Sequence, residues 1–246
     1  MSGKPMDGRV MMARRGVLRV LAIASFAAVA GCGLIGNSIS YRYRLTVEVE
    51  TPEGLKTGSS VIEVTETDQN GINGSHLDIK VKGEAVAVDL PGGQVLFALL
   101  DKASSAAVDA VEEQLGPVPN DENAWRNQIR QVKDQTAIFE LPSSITVRGK
   151  DVATYPTLVR FRDLSDPRSV EKVLPTNLAS SFGPGVRLKR ITIQVTDDDV
   201  TEGIEKRLGW LPNYYNKMLD GSRINNGRLI ANSIDSGSFS IGNGLQ

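Results

Sequence analysis

One histidine and one cysteine are all that the 246 residues provide, and that shortage excludes most site chemistry at the outset. A Ser-His-Asp relay would have to use His76 as its base, and no GxSxG nucleophile motif accompanies it. Zinc needs several Cys and His ligands, and a lone thiol forms no disulfide within its own chain. Charge of either sign is not in excess, with 28 Lys and Arg against 29 Asp and Glu, so the basic footprint of a nucleic-acid binder is missing. Aromatic residues make up only 5% of the chain. Nor is there an apolar run of about 20 residues, the length that a membrane-spanning helix requires. The longest apolar region, residues 20–30, is about half of that.

What is present near the start is an ordered set of signals. Lys4, Arg9, Arg14, Arg15 and Arg19 precede the apolar region, and the small residues Ala30 and Gly31 close it just before Cys32. Basic, apolar and small-residue segments in that order read as an export signal rather than as structure; the alternative is an ordinary cysteine buried in a core helix. Val29-Ala30-Gly31-Cys32 resembles the lipobox of bacterial lipoproteins. That resemblance implies that the Cys32 thiol is diacylated, that residues 1–31 are removed as a signal peptide, and that the new amino group is acylated in turn with a palmitate-type chain. A single acyl chain holds only marginally, at about 0.8 kcal/mol per buried methylene, so several chains are needed for stable anchoring. Arg14-Arg15-Gly16-Val17-Leu18-Arg19 also resembles a twin-arginine export motif, and Met11 or Met12 is as good an initiator as Met1. Gly33, which is not acidic, favours the outer membrane over the inner one. The expected location is the periplasmic face of the cell envelope.

Removing residues 1–31 takes away five basic residues and one acidic one, which moves the net charge from −1 to −5 and leaves 215 residues. That length buries one good core or two small ones. A composition of 40% hydrophobic and 23% charged residues is that of a folded globular chain. Residues 32–40 are small and polar enough to act as a lipidated tether.

From residue 41 the pattern is mostly that of strands. Tyr41, Tyr43, Leu45, Val47 and Val49 alternate with Arg42, Arg44, Thr46, Glu48 and Glu50. A turn at Thr51-Pro52-Glu53-Gly54 leads to a partner strand at 59–67. Residues 68–74 read as a loop with two Asn-Gly pairs, oxygen-rich but without the closing Glu of a calcium loop. Strands are expected at 76–82, 85–90 and 94–100, the last apolar on both faces and therefore central. A helical hairpin is expected at about 104–133: one helix ends at Gly116-Pro117, and a second is capped by Asn120 or Asp121, with Trp125, Ile129 and Val132 on one face. Strand signals resume at 136–141, 144–148 and 157–162, residues 169–173 read as one helical turn, 178–185 as an irregular loop, and 187–196 as another clean strand. Residues 220–246 form a Gly-, Ser- and Asn-rich C-terminal tail, with room for a hairpin at Asn225-Asn226-Gly227 and a loose end. The fold class is α+β, predominantly β, with antiparallel strands in a sandwich-like or barrel-like arrangement, a globular body over 41–219 and the helical insert in its middle.

Chemistry-bearing clusters are few. His76 lies between Ser75 and Asp78, yet neighbours on one strand point to different faces, so a polar strand start is the simpler reading. Asp197, Asp198 and Asp199 after a strand are candidates for a hard cation or for acid-base work; the simpler reading is a solvated cap for a following helix through Asp199 or Thr201. Trp210, Tyr214 and Tyr215 form the densest aromatic cluster, either an interaction patch or the closure of the core. Gly183-Pro184-Gly185 lacks the lysine of a phosphate loop.

The order TLVRFRDLSDPRSVEKV, FGPGVRLKRITIQVT, GIEKRLGWLP, over roughly 155–212, resembles a group of uncharacterised proteobacterial lipoproteins and hypothetical proteins. That resemblance brings no activity, cofactor or site residue with it. The functional expectation is a lipid-anchored envelope protein that works by binding or scaffolding rather than by catalysis. It would need no cofactor and would meet the membrane through its lipid and other envelope proteins as partners. The alternative is an envelope hydrolase or carbohydrate-acting enzyme that uses carboxylates.

Overall fold

The computed structural model describes residues 38–71, 74–115, 131, 137–147, 149–227 and 229–242, with side chains omitted at 68–77, 111–115 and 147. These residues form twelve strands: β1 (Ser38–Thr51), β2 (Gly54–Gly71), β3 (Gly74–Glu84), β4 (Val86–Leu90), β5 (Gln94–Ala98), β6 (Ile138–Glu140), β7 (Ser144–Val147), β8 (Lys150–Ala153), β9 (Leu158–Phe161), β10 (Val170–Val173), β11 (Arg187–Val195) and β12 (Ser240–Ile241). Three described helices accompany them, α1 (Ala106–Leu115), α2 (Ala179–Phe182) and α3 (Ile230–Ser233), together with several single 3-10 turns.

Alternation builds the first strand and, through it, the larger sheet. Tyr41, Tyr43, Leu45, Val47 and Val49 are all buried on one face of β1, while Arg42, Arg44 and Thr46 on the other face are half exposed. Such a pattern fixes the register, since a slip of one residue would turn the whole apolar set toward water. β1 pairs antiparallel with β2 on one side and with β11 on the other, in a six-stranded sheet ordered β12-β3-β2-β1-β11-β6. The second sheet is ordered β10-β9-β5-β4, and β7 and β8 form a separate hairpin. Every pairing in the two sheets is antiparallel. Both sheets keep open edges, so the arrangement is sandwich-like and not a barrel.

The four-stranded sheet is buried on both faces. Val86, Val88, Leu90, Leu96, Ala98 and Leu158 pack toward β1, β2 and β11 in a first core, which α1 joins through Ala106, Ala107, Val108 and Ala110. Val95, Phe97, Val159 and Phe161 pack the other way, in a second core. The doubly apolar run at 94–100 thus has its physical reason, because β5 lies between β4 and β9 with a core on each side. The layers approach closely at Gly58 of β2, where an added Cβ would overlap the Ala87 carbonyl and come within 2.8 Å of its carbon.

Three local expectations are corrected. Residues 169–173 are not a helical turn: Pro167–Ser169 makes a 3-10 turn, capped by Asp166 accepting from the Arg168 N–H at 3.0 Å, and β10 then returns antiparallel to β9. Val170 and Val173 have helical spacing, but they serve opposite cores. No α-helix follows Asp197 to Asp199; the chain runs without regular structure to a 3-10 turn at Ile204–Lys206, where the N–H groups of Gly203 and Ile204 are held from another strand. The stretch expected to be a tail is built into the fold through residue 242, and its end, residues 243–246, lies outside the described residues. Ala231, Ile234 and Phe239 belong to the second core, and β12 pairs with β3. The second helix of the expected hairpin, with Asn120, Asp121, Trp125, Ile129 and Val132, lies outside the described residues.

Candidate functional site

Glu84, at the end of β3, sets where the third layer lies. Its buried carboxylate accepts from the backbone N–H of Gly203 at 2.8 Å and of Ile204 at 2.9 Å. A carboxylate holding two N–H groups at a turn start is a charge-assisted cap supplied from a distant strand. Thr201 makes the neighbouring link, with its Oγ1 accepting from the Val61 N–H at 2.8 Å and its own N–H donating to the Val61 carbonyl at 3.1 Å. From there residues 204–241 cover the outer face of the four-stranded sheet. Phe97, Phe161, Trp210 and Phe239 meet with ring centroids 5.7 to 6.0 Å apart. Within this layer the buried Asn232 amide donates to Asp220 at 2.8 Å and to Ser222 at 2.7 Å, and its oxygen accepts from the Asn226 N–H.

Trp210 is therefore a core residue. It is buried and donates its indole N–H to the Leu164 carbonyl at 2.9 Å. Tyr214 packs edge-on against Trp210 at 5.5 Å, and the half-buried Tyr215 donates to Glu205 at 3.4 Å. Burial, with Glu205 nearby, pushes the Tyr215 phenol above its ordinary pKa. All three aromatics close the second core.

The aspartate run lies at the exit of β11 and is taken up by arginines. Asp198 pairs with Arg44 and accepts from the Thr196 hydroxyl at 2.8 Å, and these contacts hold its carboxyl below its ordinary pKa, the Thr196 bond most strongly. Asp199 is fully exposed, 3.7 Å from Arg42, and Asp197 is exposed as well. Among the described residues no three of His, Cys, Asp and Glu stand close enough together to hold a metal ion. The backbone of His76 pairs with Gln69 across the β2–β3 hairpin. Side chains of the 68–74 loop and of His76, and the whole of Cys32, lie outside the described residues.

A different set of residues converges at one end of the sandwich. There Leu158 and Val173 of the smaller sheet and Leu188 of the larger one floor a cavity of about 600 Å³. Pro156, Leu174 and Pro175 extend its apolar wall, and Ser143, Tyr155, Thr157 and Thr176 bring hydroxyl groups to it. Three lysines from separate elements line it: Lys102 from the turn after β5, Lys172 from β10 and Lys189 from β11.

The frame around this cavity is braced by hydrogen bonds. Asp101 accepts from the Thr157 N–H at 3.0 Å and from its hydroxyl at 2.7 Å, while the Leu99 N–H donates to the Thr157 carbonyl at 3.0 Å. The base of the β7–β8 hairpin is closed by the buried Thr154, which donates its N–H to Ser143 and its hydroxyl to Pro142. Tyr155 is half buried there, and burial, with Glu140 nearby, raises its phenol pKa.

These residues come from five stretches of chain, the first two of them 41 positions apart, and each lysine reads in isolation as a solvated surface residue. No motif announces them. The volume lies within the roughly 300 to 1,000 Å³ typical of small-molecule sites, with the usual mixture of apolar wall and a few polar groups. No helix among the described residues is long and apolar enough to cross a membrane. No known protein family, curated protein or solved structure matches this chain.

Proposed function

We propose that this protein is a lipid-anchored envelope protein that works by binding, with the cavity between Lys102, Lys172 and Leu188 as its small-molecule site. Cys32 supplies the anchor, the periplasmic face of the outer membrane is the location that Gly33 favours, and other envelope proteins are its expected neighbours. The observation that carries the binding reading is the cavity itself: about 600 Å³, walled by both sheets and braced by Asp101 and Thr154. A site walled by strands is already shaped before its ligand arrives, which reduces the ordering cost of binding. The carboxylate-enzyme reading has less support, since Asp198 is engaged by Arg44 and Thr196 at the exit of β11.

Native mass spectrometry of the full-length chain purified from the envelope tests the binding role. A small-molecule adduct on the parent chain, absent from chains carrying Thr176→Trp or Leu174→Trp at the exposed cavity wall, is the expected result. Identical spectra from parent and wall variants in repeated preparations would overturn it.

A further inference from the structure

We propose that the cavity between the sheets takes an amphiphilic anion, its apolar body against Leu174, Pro175 and Leu188 and its carboxylate or other acidic head at Lys102 and Lys172. This inference deepens the binding role and rests on it.

The charge distribution around the cavity carries the argument. Lys189 is matched, since its ammonium stands 3.0 Å from Glu48, which Arg190 also engages at 2.7 Å. Asp101, the acidic neighbour of Lys102, has its two oxygens occupied by the N–H and hydroxyl of Thr157. Glu171, the neighbour of Lys172, pairs with Arg160 at 2.7 Å and Arg162 at 3.2 Å. Among the described residues this leaves Lys102 and Lys172 lining the cavity with no ion pair of their own.

Lys102 is half buried and Lys172 exposed, and neither has a compensating carboxylate among the described residues. An ammonium without an ion pair gains from an incoming anion, and beside an apolar wall that attraction is less screened than in bulk water. The wall offers apolar surface to a hydrocarbon or aromatic body: Leu174 is exposed and Pro175 and Leu188 are half buried, over the closed floor of Leu158 and Val173. Around both features, Ser143, Tyr155 and Thr176 provide hydroxyls that can donate to the same acidic head. An apolar body beside a single anionic end is the ligand chemistry that fits.

Binding of two probes with one aromatic body tests this: anilinonaphthalene sulfonate, which is anionic, and phenylnaphthylamine, which is not. The full-length chain is titrated in nonionic detergent, with Thr176→Trp and Leu174→Trp chains as blanks for partition into micelles. The parent should bind the sulfonate about tenfold or more tightly than the amine, a preference of the size that charge-assisted hydrogen bonds give. The Lys102→Gln, Lys172→Gln double variant should lose that preference while binding the amine and melting as the parent does. Equal binding of both probes by the parent, unchanged in the double variant, overturns the anion assignment and leaves the cavity as an apolar site. If neither probe distinguishes the parent from the wall variants, the binding role itself fails.

Discussion

Glu48 shows how much one side chain on an outward strand face can carry. It sits at only 9% exposure on a face whose other members are half exposed, because Lys189 and Arg190 of β11 lie over it. The Arg190 hydrogen bond is the main reason that its carboxyl titrates below the ordinary value of 4.5, with burial opposing the shift. A carboxylate with a depressed folded pKa stabilises the fold in full above its unfolded value and ceases to do so as pH falls through the folded one. Glu48→Gln should therefore cost about 1 kcal/mol near neutral pH, the arginine side being partly screened by water. The difference should shrink below about pH 4 and vanish where both chains carry an uncharged residue. Denaturant titrations of parent and variant across that range measure it, and parallel stability curves would sink the assignment. The alternation in 41–50 made the outward placement of Glu48 legible. Its partners were not, since the bulge between Glu48 and Val49 of β1 that shifts the pairing with β11 is invisible in either strand alone.

At the scale of elements, long alternating strands are readable, and so are the short β4, β5, β6, β7 and β9, whereas β8, β10 and β12 are not. β1 and β11 alternate over many residues and appear where the pattern puts them, whereas β10 has only four residues and a spacing that fits two periods. The order of the C-terminal stretch is hidden in the sequence for another reason. Its Gly, Ser and Asn residues have no periodicity because its order comes from distant partners: Asn232 on Asp220 and Ser222, Ser240 and Ile241 on β3, and Phe239 on Phe97 and Phe161. The cavity lysines escaped notice in the same way, being brought together only when the two sheets stack.

If this layer closes the core, Phe239→Ala should cost about 3 to 5 kcal/mol, the usual range for deleting a buried aromatic. Trp210→Ala should be similarly severe, with loss of the Leu164 hydrogen bond added to the lost packing. Both variants should melt well below the parent and expose the apolar outer face of the four-stranded sheet to a hydrophobic dye. Had Trp210 belonged to an interaction patch, its replacement would leave the melting transition in place and reduce only the capture of a partner.

For the whole molecule the deciding feature is the distance between anchor and body. Five residues lie between Cys32 and Ser38, the first residue of β1, and those six steps of fully extended chain span at most about 20 Å. The acylation proposed for Cys32 would thus confine the body to the membrane surface, within reach of the amphiphilic anions proposed for its cavity. Since Cys32 is the sole thiol, the anchor can be removed by one substitution that touches no described contact. Cys32→Ser should abolish incorporation of labelled palmitate completely and shift the exported chain from the membrane fraction to the soluble one. Its cavity should still bind anilinonaphthalene sulfonate as the anchored chain does, because binding and anchoring use separate parts of the chain. Retention of acyl label by the serine variant would show that the lipid is attached elsewhere, and the envelope placement built on Val29-Ala30-Gly31-Cys32 would fall with it.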